Sequence, residues 1–275
     1  MKSSARPQQQ RYIGNRMKLH LRVRRVAGET LRLITLRPDL KVKLSVNRFH
    51  NTWHILGDGR SATLLAHLLW GLSYQRHPGT LILIRSPQLQ PNPFDAAPSP
   101  PLLLQPAQLT HLPRDRLTAL AQLLPKLGPS DQTIRWQTHG LEGHQLSAFD
   151  DEREERVERI GGLIVYRAPA RVMRNTAFIF SRLPKYIGSL PLEGWMRDQT
   201  HEYIYGREEE GAEGELQLFA RYREMLSAAQ VARRELVEAG VDVERAPERV
   251  WRRQRAIMEQ KARDVRARSA REREP

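Results

Sequence analysis

The stretch Trp53-His-Ile-Leu-Gly-Asp-Gly-Arg-Ser-Ala-Thr-Leu-Leu-Ala-His-Leu-Leu-Trp70 sets the problem of the fold. A short apolar run meets Gly57-Asp58-Gly59-Arg60-Ser61, and a block with helical spacing follows. A glycine-rich strand-to-helix turn can aim backbone N–H groups at an anion, helped by the helix dipole. Gly57, Gly59, Arg60 and Ser61 are therefore candidate anion-binding residues, with Arg60 able to add a forked contact. The dinucleotide pattern Gly-x-Gly-x-x-Gly would need glycine where Ala62 stands, and no Gly-Lys-Ser/Thr is present. Asp58 would also repel a phosphate. The turn therefore reads first as a bend in which Asp58 or Ser61 caps the helix.

Upstream, Leu19, Leu21 and Val23 alternate with Lys18, His20, Arg22 and Arg24, the pattern of a half-buried strand with a basic outer face. Ala27-Gly28-Glu29-Thr30 reads as a hairpin turn. Two further alternating runs, Leu31–Leu36 and Lys41–Val46, and the apolar run 51–56 complete an expected antiparallel meander of about four strands. Downstream, Ser61–Arg76 predicts a largely buried helix ended by Pro78-Gly79. Thr80–Arg85 then predicts a central strand parallel to residues 51–56. The fold class expected is α+β (mixed α/β): a basic N-terminal meander, a strand–helix–strand unit and a helical C-terminal region.

Residues 1–15 lack periodicity and read as a flexible basic arm, 16–211 as the body and 212–275 as the helical region. Within the body, residues 86–113 carry eight prolines and read as an extended surface loop. Asp115–Leu127 and Arg171–Arg182 predict helices, and Thr133–Thr138 and Gly161–Tyr166 predict strands. The charged run Phe149–Arg159 reads as a solvated turn or loop, and Pro184–Gly211 as irregular. A helix is expected from Gly214 to Gly240 and another over Pro247–Arg271. The thin seam of the second, Trp251, Met258 and Val265, is broken by Gln254, Lys261 and Arg268, a poor zipper.

The charge is uneven. The chain of 275 residues carries a formal +14, and residues 1–50 hold thirteen Lys and Arg against only Glu29 and Asp39. Such a region attracts phosphate backbones, anionic lipid or an acidic partner. Lys18, Arg22, Arg24, Arg32, Lys41 and Lys43 are the candidate nucleic-acid contacts; base-stacking aromatics are scarce around them. There is no cysteine, which removes disulfides and thiolate metal sites and suits a reducing compartment. No signal peptide and no membrane span are read, because the longest apolar run, near Leu64–Leu72, contains His67 and Gly71.

The histidines match no metal or protease motif. His50/His54, His139/His144 around Glu142, and His201-Glu202 with Tyr205 in place of a second histidine all read as caps or surface groups. No nucleophile elbow is present. Neither metal nor cofactor is expected, and an enzyme is the less favoured class. The function expected is a cytoplasmic nucleic-acid-associated protein that contacts phosphates through the basic sheet. Two alternatives stand beside it: an adaptor docking partners through the Pro-rich loop and C-terminal helices, and an enzyme holding a phosphorylated substrate at Gly57–Ser61.

Overall fold

A computed structural model of the chain describes residues 13–49, 51–146, 155–187, 199–205 and 212–271. It has the expected α+β class, with eleven strands and five α-helices among the described residues. A seven-stranded mixed sheet runs in the order β7 (Gln132–Trp136), β1 (Met17–Val26), β2 (Glu29–Thr35), β5 (Thr80–Ile84), β6 (Leu102–Pro106), β9 (Leu163–Ala168), β8 (Arg156–Ile160). A four-stranded sheet runs β10 (Gln199–Tyr205), β11 (Ala212–Phe219), β4 (Thr52–Gly57), β3 (Leu44–Phe49). The helices are α1 (Gly59–Ser73), α2 (Arg114–Leu123), α3 (Ala170–Arg182), α4 (Tyr222–Glu238) and α5 (Pro247–Arg271).

The meander is divided. β1 and β2 form a hairpin in the larger sheet, whereas β3 and β4 form one in the smaller. β4 is therefore not the parallel neighbour of β5: β4 pairs in parallel with β11, and β5 with β2. α1 carries the chain from one sheet to the other. The reason lies in its composition, since Ala62, Leu64, Leu65, Ala66, Leu68, Leu69, Trp70 and Leu72 are all buried and leave only a narrow, half-buried polar strip of Arg60, Thr63 and His67. One core gathers α1 and α3 with Leu19, Leu21, Ile34, Ile82 and Ile164 of the large sheet and Leu44, Val46, Ile55, Leu216 and Leu218 of the small one. The opposite face of the large sheet (Leu31, Leu33, Leu81, Leu83, Leu103) packs on Leu117 and Leu120 of α2. The opposite face of the small sheet receives α4 through Leu56, Phe219, Tyr222, Met225 and Leu226. The Tyr222 hydroxyl donates to Ser45 Oγ (2.6 Å), which donates to the Pro91 carbonyl (2.7 Å).

Four strands depart from the expected elements. Leu102–Pro106 is a fully buried strand inside the Pro-rich segment, its prolines lying at or beyond the strand ends, where a missing N–H costs least. Gln199–Tyr205 and Ala212–Phe219 pair antiparallel where irregular and helical chain was expected, so the boundary expected at 212 falls on a strand joined to β4. Arg156–Ile160 is likewise a strand. The expected arm through Tyr12, and residues 149–154 of the charged run, lie outside the described residues. Ile13, at the arm's end, packs on the core. The rest of the Pro-rich segment is not a free loop. It seals the outer edge of β3: Leu44 N donates to the Gln88 carbonyl (2.9 Å), Gln90 N to the Leu44 carbonyl (2.7 Å) and Val46 N to Ser99 Oγ (2.9 Å). An open edge strand is thereby removed.

Gly71 marks the closest approach in the core. A Cβ there would lie 2.4 Å from the Trp136 indole, whose Nε1 donates to the His67 carbonyl (2.9 Å). Alanine is worth about 1 kcal/mol more than glycine in a helix interior, but overpacking a buried ring costs about 1–3 kcal/mol. Gly71→Ala is expected to lower the urea midpoint despite its better helix propensity.

Candidate nucleic-acid interface

The Gly57–Ser61 corner is filled by its own chain. Asp58 is the N-cap of α1: its Oδ1 accepts from Ser61 N (3.0 Å), and Asp58 N donates to Ser61 Oγ (3.2 Å), a reciprocal capping box. Ser61 Oγ also reaches the Lys43 carbonyl (2.7 Å), tying the helix start to the strand entering β3. A Cβ on Gly57 would sit 2.5 Å from Ser61 Cβ, and one on Gly59 3.2 Å from Pro184 Cβ. Both glycines thus serve close approach. The anion at the helix start is the Asp58 carboxylate, and Arg223 on α4 pairs with it (Nε–Oδ2 3.3 Å). Arg60 is half-buried beside this corner.

Two of the expected sheet arginines are engaged at the end of α2. Arg22 is only 8% exposed; its Nε donates to the Gly128 carbonyl (3.1 Å) and its Nη1 to Thr35 Oγ1. Arg24 donates to the Leu127 (3.0 Å) and Pro129 (2.8 Å) carbonyls and pairs with Asp131 (2.8 Å). Arg85, from the end of β5, donates to the Leu124 carbonyl (3.0 Å). Carbonyls at and beyond a helix C-terminus lack intrahelical donors and carry the negative end of the dipole, so these three guanidiniums close the α2 end. The Val23 N–H and then Arg24 hold the Asp131 carboxyl below its usual range. Burial, then Arg85 and Arg24, weakens the hold of Arg22 on its proton. Beside this clamp an open cavity of about 470 Å³ is lined by Arg85, Ser86, Leu89, Leu124, Pro125 and Leu163 among others.

Register separates the remaining candidates. Arg22 stands opposite Leu33, on the face that packs against α2, whereas Arg32 stands opposite Val23, on the other face. Lys41 is exposed and Lys43 half-buried on the segment between the two sheets; both use their carbonyls internally, for Arg223 and Ser61 respectively. The six residues do not converge. Lys18 instead meets a residue not singled out from the sequence: it is the cross-strand partner of Arg135 on β7, and both are exposed. Thr133, opposite His20, lies on the same face and is also exposed. Among the described residues neither Lys18 nor Arg135 pairs with a carboxylate. Two like charges directly opposite on a sheet repel. His20 is half-buried on this face; burial, then Arg22 and Arg37, lowers its proton affinity.

The other histidines are held individually. His54 Nδ1 faces Glu215 Oε2 (3.2 Å) and its Nε2 faces the Phe49 carbonyl (3.3 Å). His139 bonds Asn15 (3.2 Å), and His144 bonds Asn175 (3.1 Å) while its ring stands edge-on to Trp70. His67 Nδ1 meets Thr138 Oγ1 (2.8 Å). No group of three metal-ligating side chains occurs among the described residues. His50 lies outside them, and so do the side chains of His201, Glu202 and Tyr205. No protein-family model, no curated protein and no solved structure matches the chain.

Two outcomes are expected here. Asp58→Ala should cost about 1–2 kcal/mol in urea unfolding through loss of the cap, and inorganic phosphate should leave the midpoint of the unmodified protein unchanged. Burial holds the His67 pKa below its ordinary 6.5, so below pH 6.5 the unfolded chain takes up this proton first. Stability is therefore insensitive to His67 above that pH. It falls with acidification below it and levels off once the folded-state value is passed. A His67→Gln variant should unfold with a shallower pH slope on acidification below about pH 6.5.

Proposed function

We propose that the protein associates with nucleic acid by contacting phosphates at the Lys18–Arg135 face. The supporting observation is that cross-strand pair: two exposed cations held opposite each other on adjacent strands, with no acidic partner among the described residues. A phosphate seated between them replaces one repulsion by two attractions. Thr133 on the same face adds a hydroxyl for phosphate or sugar oxygens. No base-reading set accompanies them, so binding is read as backbone contact without sequence preference. Among the described residues no helix is long and apolar enough to cross a membrane. The cysteine-free chain suits a cytoplasmic setting for such a partner.

The adaptor alternative loses the Pro-rich loop as a docking segment, since that segment is packed along β3. The phosphorylated-substrate alternative draws no support from a corner that already holds Asp58. The test is binding of a mixed-sequence oligonucleotide across a salt series. The unmodified protein should lose affinity steeply with salt. Lys18→Gln/Arg135→Gln should bind more weakly, with a log–log salt slope smaller by about two units. The double variant should be no less stable than the parent, because a repulsive pair has been removed. Affinity and slope unchanged in the double variant would sink the proposal.

A further inference from the structure

Helix α5 is anchored only along its first half. Val250 and Ile257 pack with Ala232, Leu236 and Val243, and Met258 with the cluster around Phe219 and Tyr222. Arg253 pairs with Glu235 on α4 (2.6 Å). From Glu259 to Ser269 every residue is exposed except the half-buried Ala262, and Val265 is 62% exposed. This free segment carries Lys261, Arg263, Arg266 and Arg268 against Glu259 and Asp264. Glu259 is taken by Arg255 (3.9 Å) and Asp264 accepts from Gln260 (2.8 Å), which leaves Lys261, Arg266 and Arg268 without a carboxylate among the described residues.

The chemistry of this segment narrows what can cover it. A second copy would bring like charges together over a seam with a single exposed valine, which is no zipper. A protein partner needs aromatic or bulky apolar anchors, and the segment offers only Val265. A polyanion needs neither. Between the cations stand small side chains, Ala262, Ala267 and Ser269, so the helix stays slender. A helix is about 10–12 Å across, and the B-DNA major groove is about 12 Å wide. The major groove of A-form RNA is too deep and narrow to admit one.

We propose that the free half of α5 lies in the major groove of duplex DNA, with its arginines and lysine on the flanking phosphates. The inference shares the class of partner with the Lys18–Arg135 reading but none of its residues. A helical segment without tertiary contacts is marginal in water, so the duplex should also raise its helical content.

The test uses the full chain with a DNA duplex of about 20 base pairs, the corresponding single strand, and an RNA duplex of the same length. Arg263→Gln/Arg266→Gln/Arg268→Gln removes charge. Val265→Pro keeps every charge and breaks the helix. Both variants should keep the parental urea midpoint, because the segment packs on nothing, and both should lose duplex-DNA affinity by about tenfold or more. Circular dichroism should gain helical signal on adding duplex to the parent and not to Val265→Pro. Val265→Pro binding like the parent, RNA duplex binding as tightly as DNA, or no duplex binding by the parent each overturns the inference. If Lys18→Gln/Arg135→Gln weakens binding while the α5 variants do not, the inference fails and the sheet reading stands. The reverse result supports α5 and removes the sheet reading.

Discussion

A helix with only a narrow polar strip governs this fold. Eleven of the fifteen residues of α1 are buried, including Ser61 at its start and Ser73 at its end. Such a helix cannot lie on one sheet with its back to water, as an amphipathic helix does. It needs apolar surface around most of its circumference, and the chain provides it with two sheets and α3 in one continuous core. The division of the N-terminal strands between the sheets follows from that requirement: β4 must end where α1 begins on one sheet, and β5 must begin where α1 ends on the other. The Asp58–Ser61 capping box with Gly57 makes the first of these corners, and its reach to the Lys43 carbonyl ties helix start and sheet together. The second corner runs through Gly79, which has a positive φ of 74° and no room for a Cβ against the Thr30 carbonyl.

The same economy explains why a count of arginines overstates the anion-binding surface. The large sheet is covered on both faces, so a charged residue on β1 or β2 either lies beyond the helices or is enclosed. Arg22 is buried and Arg24 half-buried at the end of α2, and a guanidinium drawn out of water must find acceptors for its N–H groups. The carbonyls of residues 124–129 are such acceptors, and they need donors because the helix ends there. One shortage offsets the other. At the β7–β1 corner the sheet face stays open, and there Lys18 and Arg135 have no carboxylate partner among the described residues.

Much of the architecture was legible where one local pattern dominated. The alternation at 17–26, the all-apolar Thr80–Ile84 and the buried helix after Ser61 each specify their element from neighbours within a few residues. β11 also carried a signal: Glu215 and Gln217 alternate with Leu216 and Leu218. The strong helical pattern that follows masks it. β6 was hidden because Leu102–Leu104 is too short to stand out among prolines. The candidate site was legible only in part. Lys18 was recognisable as an outward residue of a strand, but its partner Arg135 lies far along the chain, and pairing register at that range leaves no local trace. The fate of Arg22 was hidden for the same reason, since its carbonyl partner is 106 residues away.

Magnitudes then separate the two kinds of basic residue. Two exposed like charges across a strand pair cost at most about 1 kcal/mol in a high-dielectric setting, a cost the fold can carry without compensation. A buried, unpaired guanidinium costs several times more. Compensation therefore appears where it is required, at Arg22 and Arg24, and is missing among the described residues at Lys18 and Arg135, where solvent suffices. The free half of α5 obeys the same rule: its cations are in water and need no internal partner, so their charge remains available to a polyanion. On the proposed reading, fold stability and anion affinity are drawn from different basic residues, and a substitution in one set leaves the other largely undisturbed.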